Sequence, residues 1–149
     1  MARMAKAVRR RVVRGARRAR ATRKVVRLPT SIDLGKFMKA PASGATRGAG
    51  LIFTGGYVAH NPRTGEPETG SIEVETRQTL QNLKEVIERA GSSMDKVLKV
   101  NVFMTDLNDW PKMNKVYKKF FPRNFPARRT VQSGLVPGYR VEIEFIALQ

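Results

Sequence analysis

The chain has no cysteine and a single histidine, so its chemistry must come from carboxylates, guanidiniums, amides and hydroxyls. The densest grouping of such residues is FPARRTVQSGLVPGYRVEIEFIA, residues 125–147. A guanidinium there could hold a carboxylate by two parallel charge-assisted hydrogen bonds, and a glutamate could take up and return a proton. Spacing alone assigns less. Val141, Ile143, Phe145 and Ala147 alternate with Glu142, Glu144, Ile146 and Leu148, the period of two of a β-strand. Glutamates opposite an apolar row are normally the wet side of an antiparallel sheet. Arg128 and Arg129, beside that glutamate-rich strand, fit a cross-strand or intersubunit ion pair equally well. His60 has no cysteine or serine partner in a recognisable motif and is expected on a hairpin surface.

The elements that must position these residues follow from periodicity. Leu51 to Thr54 reads as a short strand, and Gly55-Gly56 as a bulge or a close backbone approach. Val58 is expected to begin a second strand before a turn at Asn61-Pro62-Arg63-Thr64-Gly65. Ile72 to Ala90 is the strongest helix. Glu73 and Glu75 favour its positive end, Thr76, Leu80, Leu83, Ile87 and Ala90 form a stripe, and Gly91 stops it. Val97 to Met104 alternates as a strand, with Leu98, Val100, Val102 and Met104 on one face. A second helix is expected to be capped by Asn108 or Asp109, with Pro111 in its first turn. Trp110, Met113, Tyr117 and Phe120 are expected on its buried side. The order strand, strand, helix, strand, helix, strand, strand implies an α+β domain with two helices on one face of a sheet.

Composition bounds the rest. A chain of 149 residues with 41% hydrophobic content suits one domain with a modest core. No run approaches the roughly 18 apolar residues that span a membrane. The net charge of +17 is unevenly placed: residues 1–27 hold 12 of the 29 basic residues and no acidic one. Such an arm cannot offset its own ordering by burying apolar surface. It fits an organellar transit peptide, although it lacks serine. It fits equally a permanent arm that neutralises nucleic-acid phosphates through Arg9, Arg10, Arg11, Arg14, Arg17, Arg18, Arg20, Arg23, Lys24 and Arg27. Residues 28–50 read as a connector, with SIDLGKFMKAP extended and ASGATRGAG a loop.

FPAR, followed by EIE and IA, closely resembles the C-terminal signature of the RidA family, also called YjgF or endoribonuclease L-PSP. The likeness runs over about residues 51–147 and takes in LIFTGG, NPRTGE, TRQTLQNLKEVIERAGSSMDKVLKV and FMTDLNDWPKMNKVYKKFF. It implies a chorismate-mutase-like domain over 51–149, assembled as a homotrimer with intersubunit clefts. It also implies the family's reaction, hydrolysis of reactive enamines and imines such as 2-aminoacrylate and 2-iminobutanoate to 2-oxo acids and ammonia. On that resemblance Arg128 is the carboxylate anchor and Glu142 the group that positions and deprotonates water. Asn114, Gly56 and Thr130 then line the cleft, and no metal or organic cofactor is implied. The family's glycine-proline-tyrosine lid has no counterpart in ASGATRGAG, and the serine and glutamine of its TSGQ segment are here Gly55 and Tyr57. Tyr57 and Tyr139 are the residues available to refill the pocket.

Two functions compete at this stage. One is a RidA-like deaminase in a mitochondrion or other organelle, with the cytoplasm the lesser expectation. The other is a RidA-fold subunit recruited to contact RNA in an organellar ribonucleoprotein such as a mitochondrial ribosome. A ribonuclease ranks last, because no paired histidines or His/Lys/Glu constellation for RNA cleavage is visible.

Overall fold

A computed structural model describes residues 22–149. Among the described residues six strands form one sheet: β1 (Lys24–Val25), β2 (Ala45–Gly48), β3 (Leu51–Thr54), β4 (Val97–Met104), β5 (Ala127–Gln132) and β6 (Val141–Leu148), in the order β1-β2-β3-β6-β4-β5. β6 lies inside the sheet, antiparallel to both β3 and β4, and β5 runs parallel to β4. The helices are α1 (Leu34–Phe37), α2 (Ile72–Arg89) and α3 (Trp110–Phe120). α2 packs on β6 and β3 and against α3, so one sheet face is covered.

Pattern explains why these elements close. On β6, Val141, Ile143, Phe145 and Ala147 are buried beneath the helices. They meet Leu80, Leu83 and Ile87 of α2 in one continuous core. Burying such side chains contributes about 1.5–3 kcal/mol each. The Ser71 hydroxyl accepts from Val74 N at 3.4 Å at the start of α2, and Gly91 leaves the helix with φ +89°. Pro111 starts α3 where a missing amide hydrogen costs nothing.

Several expectations give way. Residues 28–50 are not a loose connector: β2 pairs with β3 through a two-residue turn at Ala49 and Gly50, both with positive φ. Ala is an uncommon occupant of that turn, which is why ASGATRGAG reads as loop. Leu34–Phe37 is helical rather than extended. Part of the arm also joins the fold, since Lys24 and Val25 pair with β2 and Val26 is buried. Arg23, Lys24 and Arg27 stand exposed beside that edge strand; the other arm residues named above lie outside the described residues. Val58 begins no strand, and the segment makes only isolated bridges, Tyr57 with Ile143 and His60 with Pro67. A register irregularity between Val97 and Lys99 turns Leu98 outward. Trp110 is also largely exposed and Phe120 is half-buried; Asp109 is the N-cap of α3, as expected, but makes no side-chain cap hydrogen bond, and Asp106 caps the preceding 3-10 turn, accepting from Asn108 N at 2.8 Å.

His60 is the clearest reversal. It is fully buried, because residues 26–44 strap across the hairpin and cover it. Asn82 Nδ2 donates to the carbonyls of His60 and Val58, at 2.9 and 3.2 Å, and lies 3.3 Å from His60 Nδ1. The Ser31 carbonyl can only accept, so Nε2 donates to it at 3.0 Å. The strap is further held by Tyr57 Oη donating to the Ile32 carbonyl at 2.8 Å and by Gly44 N donating to Asp33 Oδ1 at 3.1 Å. A Cβ on Gly35 would fall 1.9 Å from the Ala42 carbonyl oxygen, so α1 touches the returning chain backbone to backbone.

Two substitutions test this clamp. Asn82→Ala strands the buried His60 carbonyl, while the Val58 carbonyl keeps the His60 amide at 2.9 Å, and about 1–3 kcal/mol of stability should be lost. Gly35→Ala overpacks the strap and should cost about 1–3 kcal/mol. Urea unfolding of the full chain measures both; unchanged midpoints would show that the strap does not contribute to global stability.

Candidate active site

The pleat divides the chemistry between two faces. Glu142 stands opposite Phe103 of β4, and Glu144 opposite Asn101, on the face away from α2 and α3. Asn101 Nδ2 donates to Glu144 Oε1 at 2.7 Å. No hydrogen bond or ion pair to the Glu142 carboxyl is found among the described residues. Burial, and then the neighbouring charge of Glu144, raises its pKa above the ordinary glutamate value. Gly56 lies against it so closely that a Cβ there would come 1.9 Å from Glu142 Oε1. Gly56 is thus a close approach, as the sequence suggests, and its partner is this carboxyl. Leu34, Met38 and Ala42 from the strap, with Val58 and Val136, complete a pocket around Glu142.

Arg128 faces the other way. It pairs in register with Val100, which is fully buried under the helices, so its side chain rises on the helix side of β5. The guanidinium carbon sits 4.6 Å above the centre of the Tyr117 ring, an attractive cation–π arrangement. Tyr117 is fixed in turn: its ring lies 4.7 Å from Phe121, which meets Phe145 edge-on at 5.9 Å. Burial pushes the Tyr117 hydroxyl up to about 12, although the adjacent Arg128 charge opposes the rise.

The expected ion pair to the β6 glutamates does not form. β4 separates β5 from β6, and those glutamates point from the opposite face. No carboxylate pairs with Arg128 among the described residues. It opens instead into clefts of about 490 and 430 Å³, bordered by Leu107, Trp110 and Thr130 in one and by Trp110, Asn114 and Phe125 in the other. The Tyr117 and Thr130 hydroxyls are buried beside it without hydrogen-bond partners.

One chain therefore carries the candidate residues in two separate groups. Arg128, Asn114 and Thr130 share one, and Glu142 and Gly56 share the other, across the sheet. Neither tyrosine proposed to refill the pocket does so. Tyr57 is in the core, with its hydroxyl spent on Ile32, and Tyr139 is buried against Val58 and Ala59. Sequence reasoning missed Tyr117 as the platform for Arg128, having read the aromatic stripe as core alone. It also missed Leu34 and Met38, since no periodicity marks a four-residue helix. Among the described residues no group of three or more His, Cys, Asp or Glu side chains could hold a metal ion. No helix among them is long and apolar enough to cross a membrane.

Comparison with known proteins agrees with this architecture. The family model described as endoribonuclease L-PSP matches residues 38–149. Protein mmf2, mitochondrial, of Schizosaccharomyces pombe is 43% identical over 113 residues, covering 73% of this chain and 88% of that protein. A 2-iminobutanoate/2-iminopropanoate deaminase of Dermatophagoides farinae is 41% identical over 109 residues, covering 72% of this chain and 85% of that protein. Among solved structures, E. coli TdcF with bound serine superposes with a TM-score of 0.69 at 34% identity, covering 74% of this chain and 89% of that one. A match spanning β2 to β6, and so both residue groups, places this chain in the endoribonuclease L-PSP family, the RidA or YjgF family.

Proposed function

We propose that the protein is a hydrolytic deaminase of 2-imino acids and their enamine tautomers. The observation that carries this reading is the unpaired guanidinium of Arg128, braced on Tyr117 and open to a cleft holding Asn114 and Thr130. The deaminase names of its relatives support it.

In this reading Arg128 binds the substrate carboxylate through two parallel hydrogen bonds. The raised pKa of Glu142 suits a general base that must return its proton. Its carboxylate takes a proton from water as the oxygen bonds to the C=N carbon, and passes it to the nitrogen. The carbinolamine then collapses: Glu142 takes the hydroxyl proton and delivers it to the nitrogen as the C=O bond forms and the C–N bond breaks, so that ammonia leaves and the 2-oxo acid remains. Because Arg128 and Glu142 stand on opposite sheet faces, a working site takes one from each of two subunits. The apolar residues around Arg128 that face solvent in one chain, Trp110, Leu107 and Phe125, fit a surface covered by a second copy. We infer a homotrimer with three such clefts.

A mitochondrial location is supported by the relatives named mitochondrial and by the acid-free arm. The RNA-contacting alternative drew on arm residues that mostly lie outside the described residues, and no structural observation favours it.

Release of ammonia from enzymatically generated 2-iminobutanoate tests the reading. Arg128→Ala removes two charge-assisted hydrogen bonds worth about 1.5–3 kcal/mol each, so kcat/KM should fall by roughly 100-fold or more, largely through KM. Glu142→Gln should lower kcat by about 10²–10⁴-fold. Full activity in either variant would overturn the assignment.

Stability against pH gives an independent check. A carboxyl whose folded-state pKa is raised contributes stability that is intact below its unfolded pKa and lost as pH rises through the folded value. Glu142→Gln should therefore be more stable than the parent chain at neutral pH, with the difference vanishing below the ordinary glutamate pKa. A destabilised Gln variant at neutral pH would contradict the desolvated carboxyl.

A further inference from the structure

A cavity at the C-terminal end of α3 takes no part in the reaction described above. It measures about 360 Å³, within the roughly 300–1,000 Å³ of small-molecule sites. Met94, Phe120, Phe121 and Pro122 give it an apolar lining, and Asp95 and Arg123 are its charged residues. Both charges are exposed, and neither forms an ion pair with the other or with any other described residue. Opposite charges on one apolar recess, both unpaired, match a small zwitterion whose apolar part lies between them. The end of α3 adds to this, since a helix C-terminus favours a cation. An α-amino acid has this form. Its ammonium suits Asp95 and the helix end, its carboxylate the Arg123 guanidinium, and its side chain the surface of Phe120 and Phe121.

We propose that this cavity binds a free α-amino acid with an aliphatic side chain of leucine size, and that Arg128 responds to its occupancy. The route is short. Phe121, at one wall of the cavity, lies 4.7 Å from the Tyr117 ring, and Tyr117 carries the Arg128 guanidinium at 4.6 Å. A void leaves the side chains around it without contacts on one side. An amino acid that fills it packs on Phe121, steadies the ring beside Tyr117, and so holds the guanidinium in one place for a carboxylate. Preorganisation of that kind tightens binding. A 2-imino acid is the oxidised form of an α-amino acid, so the site senses the class of compound from which the substrate is made. The binding stands apart from the deaminase reading; the coupling rests on Arg128 as the carboxylate anchor.

Calorimetry on the full chain tests both parts. L-Leucine should bind saturably at millimolar concentration. Isocaproate, which lacks the ammonium, and isoamylamine, which lacks the carboxylate, should each bind about tenfold more weakly or worse, the loss of one charge-assisted contact. Asp95→Ala and Arg123→Ala should each weaken leucine binding to a similar degree and leave imine turnover without leucine unchanged. Arg128→Ala should bind leucine as the parent chain does, which separates this cavity from the carboxylate anchor. Leucine should tighten the binding of 2-oxobutanoate by about fivefold or more, and 2-oxobutanoate should tighten leucine by the same factor. Leucine binding that is absent, indifferent to Asp95 and Arg123, or lost in Arg128→Ala would overturn the site. Leucine binding that leaves 2-oxobutanoate unchanged or weakened would overturn the coupling and leave the anchor. Leucine binding with no binding of 2-oxobutanoate would remove the anchor, and the coupling with it, and sustain the site.

Discussion

The pleat of β6 is the constraint from which the rest follows. Its alternate residues must face opposite ways, so burying Val141, Ile143, Phe145 and Ala147 under α2 and α3 commits Glu142 and Glu144 to the other side. A register slip by one residue would bury the glutamates and expose the core, which makes this register hard to alter. β4 then separates β6 from β5, and the parallel register of β5 aims Arg128 at α3. No rotamer reconciles the two residues within one chain. The same packing that stabilises the fold thus keeps the two residues on opposite faces of one sheet.

Each half is rigid for a different reason. Arg128 rests on an aromatic column, Tyr117 on Phe121 on Phe145, which ties the guanidinium to the centre of the core. Its hydrogen-bonding fork is consequently not spent on a local carboxylate. Glu142 instead depends on absence: Gly56 has no Cβ, and the approach of its backbone desolvates the carboxyl. The strap completes that pocket from outside, held by a buried histidine whose Nε2 donates to the Ser31 carbonyl.

Legibility in the sequence tracked the range of the interactions. The period of β6, the stripe and glycine stop of α2, and Pro111 at the start of α3 are local signals, and each identified its element. The family resemblance singled out Arg128, Glu142, Asn114 and Thr130 as candidates, but carried no statement of which sheet face each would occupy. That depends on strand order, which one sequence does not display. His60 was misread for the same reason, since Ser31 and Phe37 cover it from well upstream. Tyr117 was read correctly as core, yet one face of a core ring can still serve as a platform. Residues 28–50 were misread because a turn with alanine in the left-handed region and a helix of four residues leave no periodic trace.

The central claim is that one cleft draws Arg128 and Glu142 from different subunits, and subunit mixing tests it directly. Arg128→Ala and Glu142→Gln chains, each inactive alone, are co-assembled in equal amounts and assayed for imine hydrolysis. Random assembly into closed rings restores both residues to about a quarter of the clefts, so about a quarter of the parent activity should return. A mixed assembly as inactive as its two parents would contradict the shared site.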